Sequence, residues 1–353
     1  MFDEISGIRW AGMIAGIAIV LLASRQLRTS REGKAPALMS LTLGIAVFLV
    51  SVFTSLGRIP AELLSLTRMQ GGVLITLLLI AVAFVYVITL WNRYKLDYVR
   101  RRLNDTIHGL ALNPFVAAEA AREPDPPERI WVVIPAYNEA DNIPHVMASM
   151  PQTVGGYPVT VLVIDDGSSD ATGEAAGEAG ALVLRMPANV GQGSALRAGY
   201  DAALKRRAVA VVTLDADGQN VPEEMEGVVR PVIDGTADAV IGSRILGKHE
   251  HTSLARSVGV HVFNLILRLI TGRRFTDCAS SFRAFSPAVL REVVLDQEQY
   301  QSTEILIEAA KRGYRIAERP ITFRRRKYGT TKKGGNLLYG ALFFRAILKT
   351  WLR

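Results

Sequence analysis

Apolar residues fall into two patterns along this chain: long uninterrupted stretches at the N-terminus and short runs after it. The long stretches are Trp10–Ser24, Ala37–Leu56 and Gly71–Trp91. The second and third are close to the ~20 apolar residues of a membrane-spanning helix, and neither contains a charged residue. The first is interpreted as a retained span, because Asp3 and Glu4 replace the basic start of a signal peptide. We therefore predict a membrane region with three transmembrane helices over residues 1–110; a buried helical bundle is the alternative.

Charged residues between these stretches predict an orientation. Basic residues outnumber acidic ones in Arg25–Lys34 and again just after Trp91, whereas the loop between the second and third stretches is nearly balanced. Cytoplasmic loops carry the excess of lysine and arginine. The prediction is an integral protein of the plasma membrane, with the N-terminus outside and everything after Trp91 in the cytoplasm.

Beyond Ile130 the pattern changes to short β-branched runs separated by segments that are compatible with helices. The runs are Ile130–Ile134, Val159–Ile164, Ala181–Leu184, Val209–Leu214 and Ala239–Ile241. The helical segments are Glu139–Met150, Asp170–Ala179, Gly193–Arg206 and Pro222–Asp234. This alternation predicts βαβ units and a mostly parallel sheet. Residues 111–129, which are rich in Ala, Glu and Pro, are predicted to be a semi-rigid linker.

Charge and cysteine content narrow the class of protein. The net charge is +8, and much of the basic excess lies in residues 324–333. Local basic density of this kind suits phosphate or an anionic membrane surface. Nucleic acid is not an expected partner, because the sequence carries no zinc-finger spacing, basic zipper or RNA-binding aromatic motif. Cys278 is the single cysteine, which excludes an intrachain disulfide.

Polar motifs follow each of the five runs, at the point where each predicted strand ends. They begin at Pro135, Asp165, Asn189, Asp215 and Gly242. Ligands of open α/β sheets bind outside the carboxyl ends of the strands, so these motifs are expected to share one crevice. Asp215 and Asp217 are two residues apart, and a hard divalent cation held through oxygen would offset their repulsion. A polar turn at Gly218 is the alternative reading of this motif.

Three motifs together resemble a known family. Asp165-Asp166-Gly167-Ser168 followed by Asp215-Ala216-Asp217 resembles family 2 glycosyltransferases with the GT-A fold. The segment from Asp277 to Arg283 is similar to the D-x-x-S-G-F-R segment of dolichol-phosphate mannose synthases and related polyprenyl-phosphate glucosyltransferases, with Ser281 in place of Gly. Residues 326–332 resemble their R-x-x-G-x-S-K segment, with Thr331 in place of Ser. The resemblance implies a GT-A, Rossmann-like α/β domain over residues 130–333.

The resemblance also implies which residues bind the donor, a nucleotide diphosphate sugar such as GDP-mannose or UDP-glucose. The base and ribose are assigned to Pro135, Tyr137, Glu139 and Asp166. Gly191 lets the backbone approach the nucleotide. Asp215 and Asp217, with Gln219 as a further ligand, hold Mg²⁺ or Mn²⁺ on the diphosphate, and Arg244 contacts phosphate. For Tyr137-Asn138-Glu139, a helix start capped by Asn138 is a second, compatible reading.

The acceptor that the resemblance implies is a polyprenyl monophosphate. Its phosphate is assigned to Arg256, Ser280, Arg326 and Lys332, although Arg256 is equally read as a surface charge and the 324–333 cluster as a solvated basic face. Asp217, Asp277, Arg326 and Lys332 are the expected catalytic residues, with Asp277 orienting the sugar. Glu304 either lines this site or starts a helix. Residues 334–353 are predicted to form an amphipathic helix in the membrane interface.

The predicted function is thus transfer of mannose or glucose, with inversion, from the nucleotide sugar to the lipid phosphate. Two alternatives stay open at this point: a family 2 transferase that acts on a saccharide or lipid hydroxyl, and a non-catalytic membrane scaffold. A hydroxyl acceptor would need a carboxylate base within reach. The sequence leaves the nucleotide, the length of the lipid and the oligomeric state open.

Overall fold

The computed structural model describes residues 2–29, 35–52, 72–249, 254–295, 297, 301–326 and 336–352. The chain forms two compact units, Met1–Arg101 and Arg102–Arg353. The boundary falls inside a helix of 51 residues, α3 (Gly72–Arg122).

Within its described residues the first unit contains two further helices, α1 (Phe2–Thr29) and α2 (Ala35–Val52), which pack against each other at small residues. A Cβ atom on Gly16 would lie 2.8 Å from the backbone nitrogen of Phe48, and one on Gly44 would lie 2.8 Å from a methyl carbon of Val20. Glycine is therefore what permits the two backbones to approach so closely. The predicted apolar stretches are helical wherever they are described.

The predicted membrane placement is wrong. None of the helices in the described ranges combines the length and the apolar character that crossing a bilayer requires. This finding overturns the assignment to the plasma membrane with a cytoplasmic catalytic domain, which relied on apolar stretches of sequence.

The second unit is built on a mixed sheet. In the described part of the chain its strands are β1 (Arg129–Ala136), β2 (Thr153–Val154), β3 (Tyr157–Asp165), β4 (Leu182–Arg185), β5 (Ala208–Thr213), β6 (Ala239–His249), β7 (Arg283–Phe285) and β8 (Ile316–Phe323). The order across the sheet is β4-β3-β1-β5-β7-β6-β8, and β2 forms an antiparallel pair with β3. Strand β7 is antiparallel to both of its neighbours, whereas β1, β3, β4 and β5 are parallel. The five predicted strands are confirmed.

Helices cover both faces of this sheet. They are α4 (Ile143–Ala148), α5 (Thr172–Glu178), α6 (Gln192–Leu204), α7 (Met225–Ile233), α8 (Leu254–Thr271), α9 (Pro287–Glu292), α10 (Gln301–Lys311) and α11 (Asn336–Leu352), with a 3₁₀ turn at Pro222–Glu224. Residues 130–134 of strand β1 are apolar because both faces of the strand are buried. Trp131 and Val133 pack into one core cluster, and Ile130, Val132 and Ile134 pack into the other. A strand buried on both faces has no polar side.

Two segments differ from the prediction. Residues 111–122, expected to belong to a linker, continue α3, because Ala111 and Leu112 are buried in the core cluster that also contains helix α6 residues. The helix expected over Glu139–Met150 is limited to α4, because Asn138 adopts a left-handed φ of 51° and the chain turns before Asn142. Asn138 therefore does not cap this helix.

Candidate functional site

The two aspartates of the D-x-D motif lie on the loop that follows β5, as predicted. Asp217 is buried, and its Oδ1 accepts a hydrogen bond of 3.1 Å from the backbone N–H of Gln219. Asp215 Oδ1 accepts one of 3.0 Å from the side-chain amide of Gln192, the first residue of α6. Gly218 has a φ of 70°, the left-handed conformation that lets the loop turn between these contacts. The motif thus connects the ends of β5 and α6.

Arg326, from the segment after β8, lies against these carboxylates. Its Nη2 donates to Asp217 Oδ2 at 2.9 Å, and its Nη1 lies 3.5 Å from Glu139 Oε1. Glu139 is also buried, and its Oε2 accepts from the Asn142 amide at 2.7 Å. The structure therefore brings together three predicted site residues that are far apart in sequence, and a single guanidinium bridges the loops after β1 and β5.

Asp166 holds the loop between β4 and α6. Its two carboxylate oxygens each accept a backbone N–H at 2.9 Å, from Val190 and from Gly191. Burial raises the pKa of Asp166 to about 6, although these two hydrogen bonds oppose the shift. Gly191 has a φ of 93°, a conformation that favours glycine at this contact. The predicted donor residues Asp166 and Gly191 are thus direct neighbours.

The ends of β1 and β3 are joined by hydrogen bonds between their loops. The backbone N–H of Asn138 donates to Ser168 Oγ at 3.0 Å, and Asn138 Oδ1 accepts from the backbone N–H of Ser169 at 2.8 Å. Tyr137 directly precedes Asn138 in the sequence, and 37% of its surface is exposed. An exposed aromatic side chain at a strand end offers a surface on which a nucleotide base can stack.

Asp277 forms a buried pair with Arg244 of β6. Asp277 Oδ1 accepts from Arg244 Nη2 at 2.6 Å, and Oδ2 accepts from Arg244 Nε at 2.6 Å and from the Arg244 backbone N–H at 3.0 Å. Burial opposes the charge, but Asp277 and the more distant Asp215 together raise the pKa of the Arg244 guanidinium. Arg244 also lies over the ring of Phe323, 4.9 Å from its centroid. Asp277 therefore orients Arg244 in this structure.

Glu318 supports the Asp277 segment from β8. Its Oε1 accepts from the backbone N–H of Thr276 at 2.9 Å and from that of Asp277 at 3.2 Å. The backbone ahead of the buried pair is therefore anchored to a strand on the far side of β6.

Arg283, the last residue of the D-x-x-S-G-F-R-like segment, is a buried charge held by carbonyl groups. It donates to the carbonyls of Cys278 and Ser280, each at 2.7 Å, and to that of Ser302 at the start of α10. Burial lowers the pKa of Arg283 to about 10. Burial also raises the pKa of the Cys278 thiol to about 12, so this cysteine is not a reactive thiolate.

A cavity that is partly open to solvent lies beside Asp215. Its polar lining comes from Gln192, Thr213, Asp215, Ser281, Gln301 and Ser302. Its apolar lining includes Leu196, Tyr200, Phe285, Ile305 and Phe343. Pro135 also lines the cavity, whereas Ser280 is buried behind it and uses its carbonyl to hold Arg283.

Two predicted residues fall outside this description. Lys332 is outside the described residues, and only the backbone of Arg256 is described, within α8. Their assignment to acceptor phosphate stays a prediction. Glu304 is buried in the first turn of α10, where its Oε2 accepts from the backbone N–H of Gln297 at 3.0 Å.

The sequence did not single out Gln192, Gln301 or Glu318 as site residues. Gln192 sits within the Asn189–Gly193 motif, so position in a strand-end motif was a usable signal. No such signal in the sequence marked Glu318 or Gln301. Both reach the site through long-range packing, Glu318 on β8 and Gln301 on α10.

Oxygen atoms dominate the part of the site that would hold a cation. Within the described ranges, no group of three or more His, Cys, Asp or Glu side chains forms a metal cage. Asp215, Asp217 and the amide oxygen of Gln219 offer oxygen ligands, and Mg²⁺ is commonly held by one or two carboxylates together with substrate phosphates. These residues fit a cation whose coordination is completed by a diphosphate.

Comparison with known proteins gives the family. The model for glycosyl transferase family 2 matches residues 131–297. The chain is 32% identical to polyprenol monophosphomannose synthase of Mycolicibacterium smegmatis, over 62% of this chain and 86% of that protein. It is also 32% identical to undecaprenyl-phosphate mannosyltransferase of Micrococcus luteus, over 60% of this chain and 89% of that one.

Among solved structures, this chain is similar in fold to glucosyl-3-phosphoglycerate synthase of Mycobacterium tuberculosis in complex with Mn²⁺ and UDP-glucose. The TM-score is 0.50 at 23% identity, over 67% of this chain and 82% of that one. At that identity the likeness shows the fold alone, an α/β architecture of the GT-A kind. The family match and the two relatives identify this chain as a glycosyltransferase that belongs to glycosyl transferase family 2.

Proposed function

We propose that this enzyme transfers a hexose, mannose or glucose, from a nucleotide diphosphate sugar to a polyprenyl monophosphate, with inversion at the anomeric carbon. The two mannosyltransferase relatives are named for polyprenol and undecaprenyl-phosphate substrates, which supports this acceptor class. The D-x-x-S-S-F-R segment at Asp277 and the R-x-x-G-x-T-K segment at Arg326 support it independently.

The observation that carries the proposal is the pairing of two crevice carboxylates, Asp277 and Asp217, with arginine, while the third, Asp215, is assigned to the cation. Both oxygens of Asp277 accept from Arg244, and Asp217 Oδ2 accepts from Arg326 at 2.9 Å. A hydroxyl acceptor requires a carboxylate that is available to take a proton. A monophosphate is already an anion and needs no base, so cationic groups serve it better. This argument favours the lipid phosphate over the alternative of a saccharide or lipid hydroxyl.

Asp215, Asp217 and Gln219 are the residues that would hold Mg²⁺ or Mn²⁺. The amide nitrogen of Gln219 donates to the carbonyl of Arg324 at 3.1 Å, so its carbonyl oxygen is the candidate ligand. When bound, the cation would neutralise the negative charge of the departing nucleotide diphosphate. Arg244 adds a positive charge close enough to Asp215 for their charges to interact.

The remaining chemistry is positioning. An oxygen of the acceptor phosphate forms a bond to the anomeric carbon while the bond from that carbon to the diphosphate breaks, and the electron pair leaves with the diphosphate. Asp166 and Tyr137 would hold the nucleoside, and Arg326 and Lys332 would hold phosphate oxygens. Correct alignment of two bound anions is itself a large share of such a rate acceleration.

The test is transfer of radiolabelled sugar to a polyprenyl monophosphate by the purified full chain, with GDP-mannose and UDP-glucose offered separately. We expect labelled lipid from one donor, with the product lost on chelation and restored by Mg²⁺ or Mn²⁺. A parallel reaction offers a lipid alcohol of the same chain length in place of the phosphate. Product from the alcohol and none from the phosphate would contradict the proposed acceptor.

A further inference from the structure

We propose that Gln301 binds hydroxyl groups of the hexose in the donor and thereby determines which sugar the enzyme accepts. This inference rests on the proposed function, because it needs a nucleotide sugar in the crevice. Gln301 is the first residue of α10 and is only 4% exposed. Within the part of the chain that is described, neither its amide nitrogen nor its amide oxygen has a hydrogen-bond partner.

A buried amide without partners is unusual. Most buried polar side-chain atoms are hydrogen-bonded, and an unpaired one loses its hydration without compensation. Gln301 leaves both a donor and an acceptor in that state. A ligand that pairs with both would remove the cost, and such a ligand has to reach the cavity that Gln301 lines.

The cavity places Gln301 on the sugar side of the site. Asp215, which is assigned to the cation on the diphosphate, lines the same cavity, as does Gln192, which donates to Asp215 at 3.0 Å. In the donor, the hexose is attached directly to the diphosphate. A sugar that leaves the Asp215 edge therefore enters the cavity that Gln301 lines. Both polar atoms of the amide are covered in this structure, so the side chain has to turn toward the sugar to bind it.

The chemistry of the amide selects a polyol over a phosphate. A phosphate oxygen accepts hydrogen bonds from the amide nitrogen but gives none to the amide oxygen, so it would leave half of Gln301 unpaired. Two neighbouring hydroxyl groups of a hexose can accept from the nitrogen and donate to the oxygen at once. The side chains of Tyr200, Phe285 and Ile305 add apolar surface against which the carbon face of a pyranose can pack.

Arg283 fixes the position from which Gln301 acts. It donates to the Ser302 carbonyl, next to Gln301, and to the carbonyls of Cys278 and Ser280. The start of α10 is thus attached to the segment ahead of β7. The backbone next to Gln301 is therefore held in place before the sugar arrives.

The experiment compares two ligands on the Gln301→Leu variant by calorimetry, with Mn²⁺ present: the nucleotide sugar that the wild type binds, and its nucleoside diphosphate without the sugar. Leucine keeps the volume and removes both polar atoms. We expect the nucleotide sugar to bind about tenfold more weakly, because two hydrogen bonds are lost. The nucleoside diphosphate should bind within twofold of the wild type. The melting temperature should stay the same or rise by about 2–4 °C, since an unpaired amide is gone.

Gln297→Leu is the matched control, because Gln297 is a partly buried glutamine ahead of α10 that lies outside the cavity lining. It should leave both affinities unchanged. Donors that lack one sugar hydroxyl give a second measurement: loss of the contacted hydroxyl should weaken binding to the wild type but not to Gln301→Leu. Equal losses for both ligands, or a lower melting temperature with unchanged sugar affinity, would overturn the proposal.

Both measurements are independent of the acceptor. If the wild type binds the donor but transfers nothing to a polyprenyl monophosphate, the proposed acceptor fails while the comparison of ligands still decides the role of Gln301. If the wild type transfers sugar and Gln301→Leu binds it normally, only the inference about Gln301 fails.

Discussion

Arg326 Nη2 donates to Asp217 Oδ2 at 2.9 Å, so a guanidinium lies on the carboxylate that is proposed to hold the divalent cation. The same arginine is proposed to hold phosphate during the reaction. We therefore expect a bound cation to displace Arg326 from Asp217 and to leave the guanidinium available for phosphate. This exchange links the segment after β8 to the arrival of the donor.

Arg326→Ala should bind Mn²⁺ more tightly than the wild type when no nucleotide is present. Removing the guanidinium frees Asp217 from a competing positive charge, and the expected gain is about fivefold. Turnover should fall by about 10²-fold, because a charge that stabilises phosphate is lost. Electron paramagnetic resonance of Mn²⁺ measures the first effect. Arg324→Ala is the control, because it removes the same charge from an exposed position two residues away. Equal gains in the two variants would contradict the competition.

Asp217→Asn should lower turnover by about 10²–10³-fold while the protein stays folded. The amide can still accept from the Gln219 N–H but carries no charge for a cation. Turnover at several Mg²⁺ concentrations, together with thermal unfolding, tests this expectation. Asp234→Asn, at the exposed end of α7, should behave as the wild type. Unchanged turnover in Asp217→Asn would exclude the metal role.

Binding of the nucleotide should weaken as the pH is lowered from 7 to 5. Burial raises the pKa of Asp166 to about 6, so its carboxylate is protonated across this range and loses acceptor capacity for the nucleoside. If binding requires the ionised form, the Kd should rise about tenfold at pH 5. Calorimetric titrations at five pH values measure it, with Asp166→Asn as the variant that should show no such step. A flat Kd for the wild type would refute the assignment.

The same carboxyl group has the opposite effect on stability: lowering the pH weakens nucleotide binding but stabilises the folded protein. Its pKa is about 6 in the folded state against an ordinary value of 3.8, so the folded state binds more protons between these pH values. The contribution of Asp166 to the free energy of unfolding is therefore fully present below about pH 4 and is lost as the pH rises through about 6. Chemical denaturation of the wild type and Asp166→Asn over this range should show their difference changing in that window.

Arg244 and Asp277 should be strongly coupled. Arg244→Ala or Asp277→Ala alone leaves a buried charge without its partner, which costs ~3–5 kcal/mol. The double variant should lose less than the sum of the two, with a coupling of about 1–3 kcal/mol by denaturant unfolding. Arg315 and Asp238 form the control pair, with Nη2–Oδ1 at 2.8 Å but with Arg315 exposed to solvent. Their coupling should be much smaller. Additive losses for the buried pair would contradict this picture.

Lys332→Ala should reduce turnover at limiting polyprenyl phosphate more than it weakens binding of the nucleoside diphosphate. The expectation comes from the R-x-x-G-x-T-K segment, in which Lys332 would contribute a point charge to the acceptor phosphate. Initial rates over a range of lipid concentrations and calorimetry with the nucleotide separate the two effects. Equal losses in both would move Lys332 to the donor.

Strand content and the placement of the strand-end motifs were predictable from local pattern. The β-branched runs that became β1, β3 and β5 are short, apolar and followed directly by the motifs that begin at Pro135, Asp165 and Asp215, so strand and motif were visible together. The three residues of β7 carry no periodic signal, because they become a strand only between β5 and β6. The Arg244–Asp277 pair depends on that topology, which explains why the pairing was not predicted from the sequence.

Residues 111–122 and the N-terminal stretches are segments for which composition gave the wrong prediction. The linker was inferred from composition, yet Ala111 and Leu112 are buried in the core of the second unit and keep α3 helical. The membrane placement was inferred from apolar composition as well. In both cases composition was used without knowledge of the partner surface, and packing decides what an apolar or alanine-rich helix does.

Among the residues that the structure describes, Arg283 donates to no carboxylate. Its planar guanidinium donates to three carbonyls from two segments, one ahead of β7 and one at the start of α10. A lysine has a single nitrogen and cannot span these positions. The distance between the two cavity walls is therefore set by the rigid width of one guanidinium. A variant designed to accept a bulkier sugar would therefore need a replacement for Arg283, because shortening the surface loops would leave the distance between the two cavity walls unchanged.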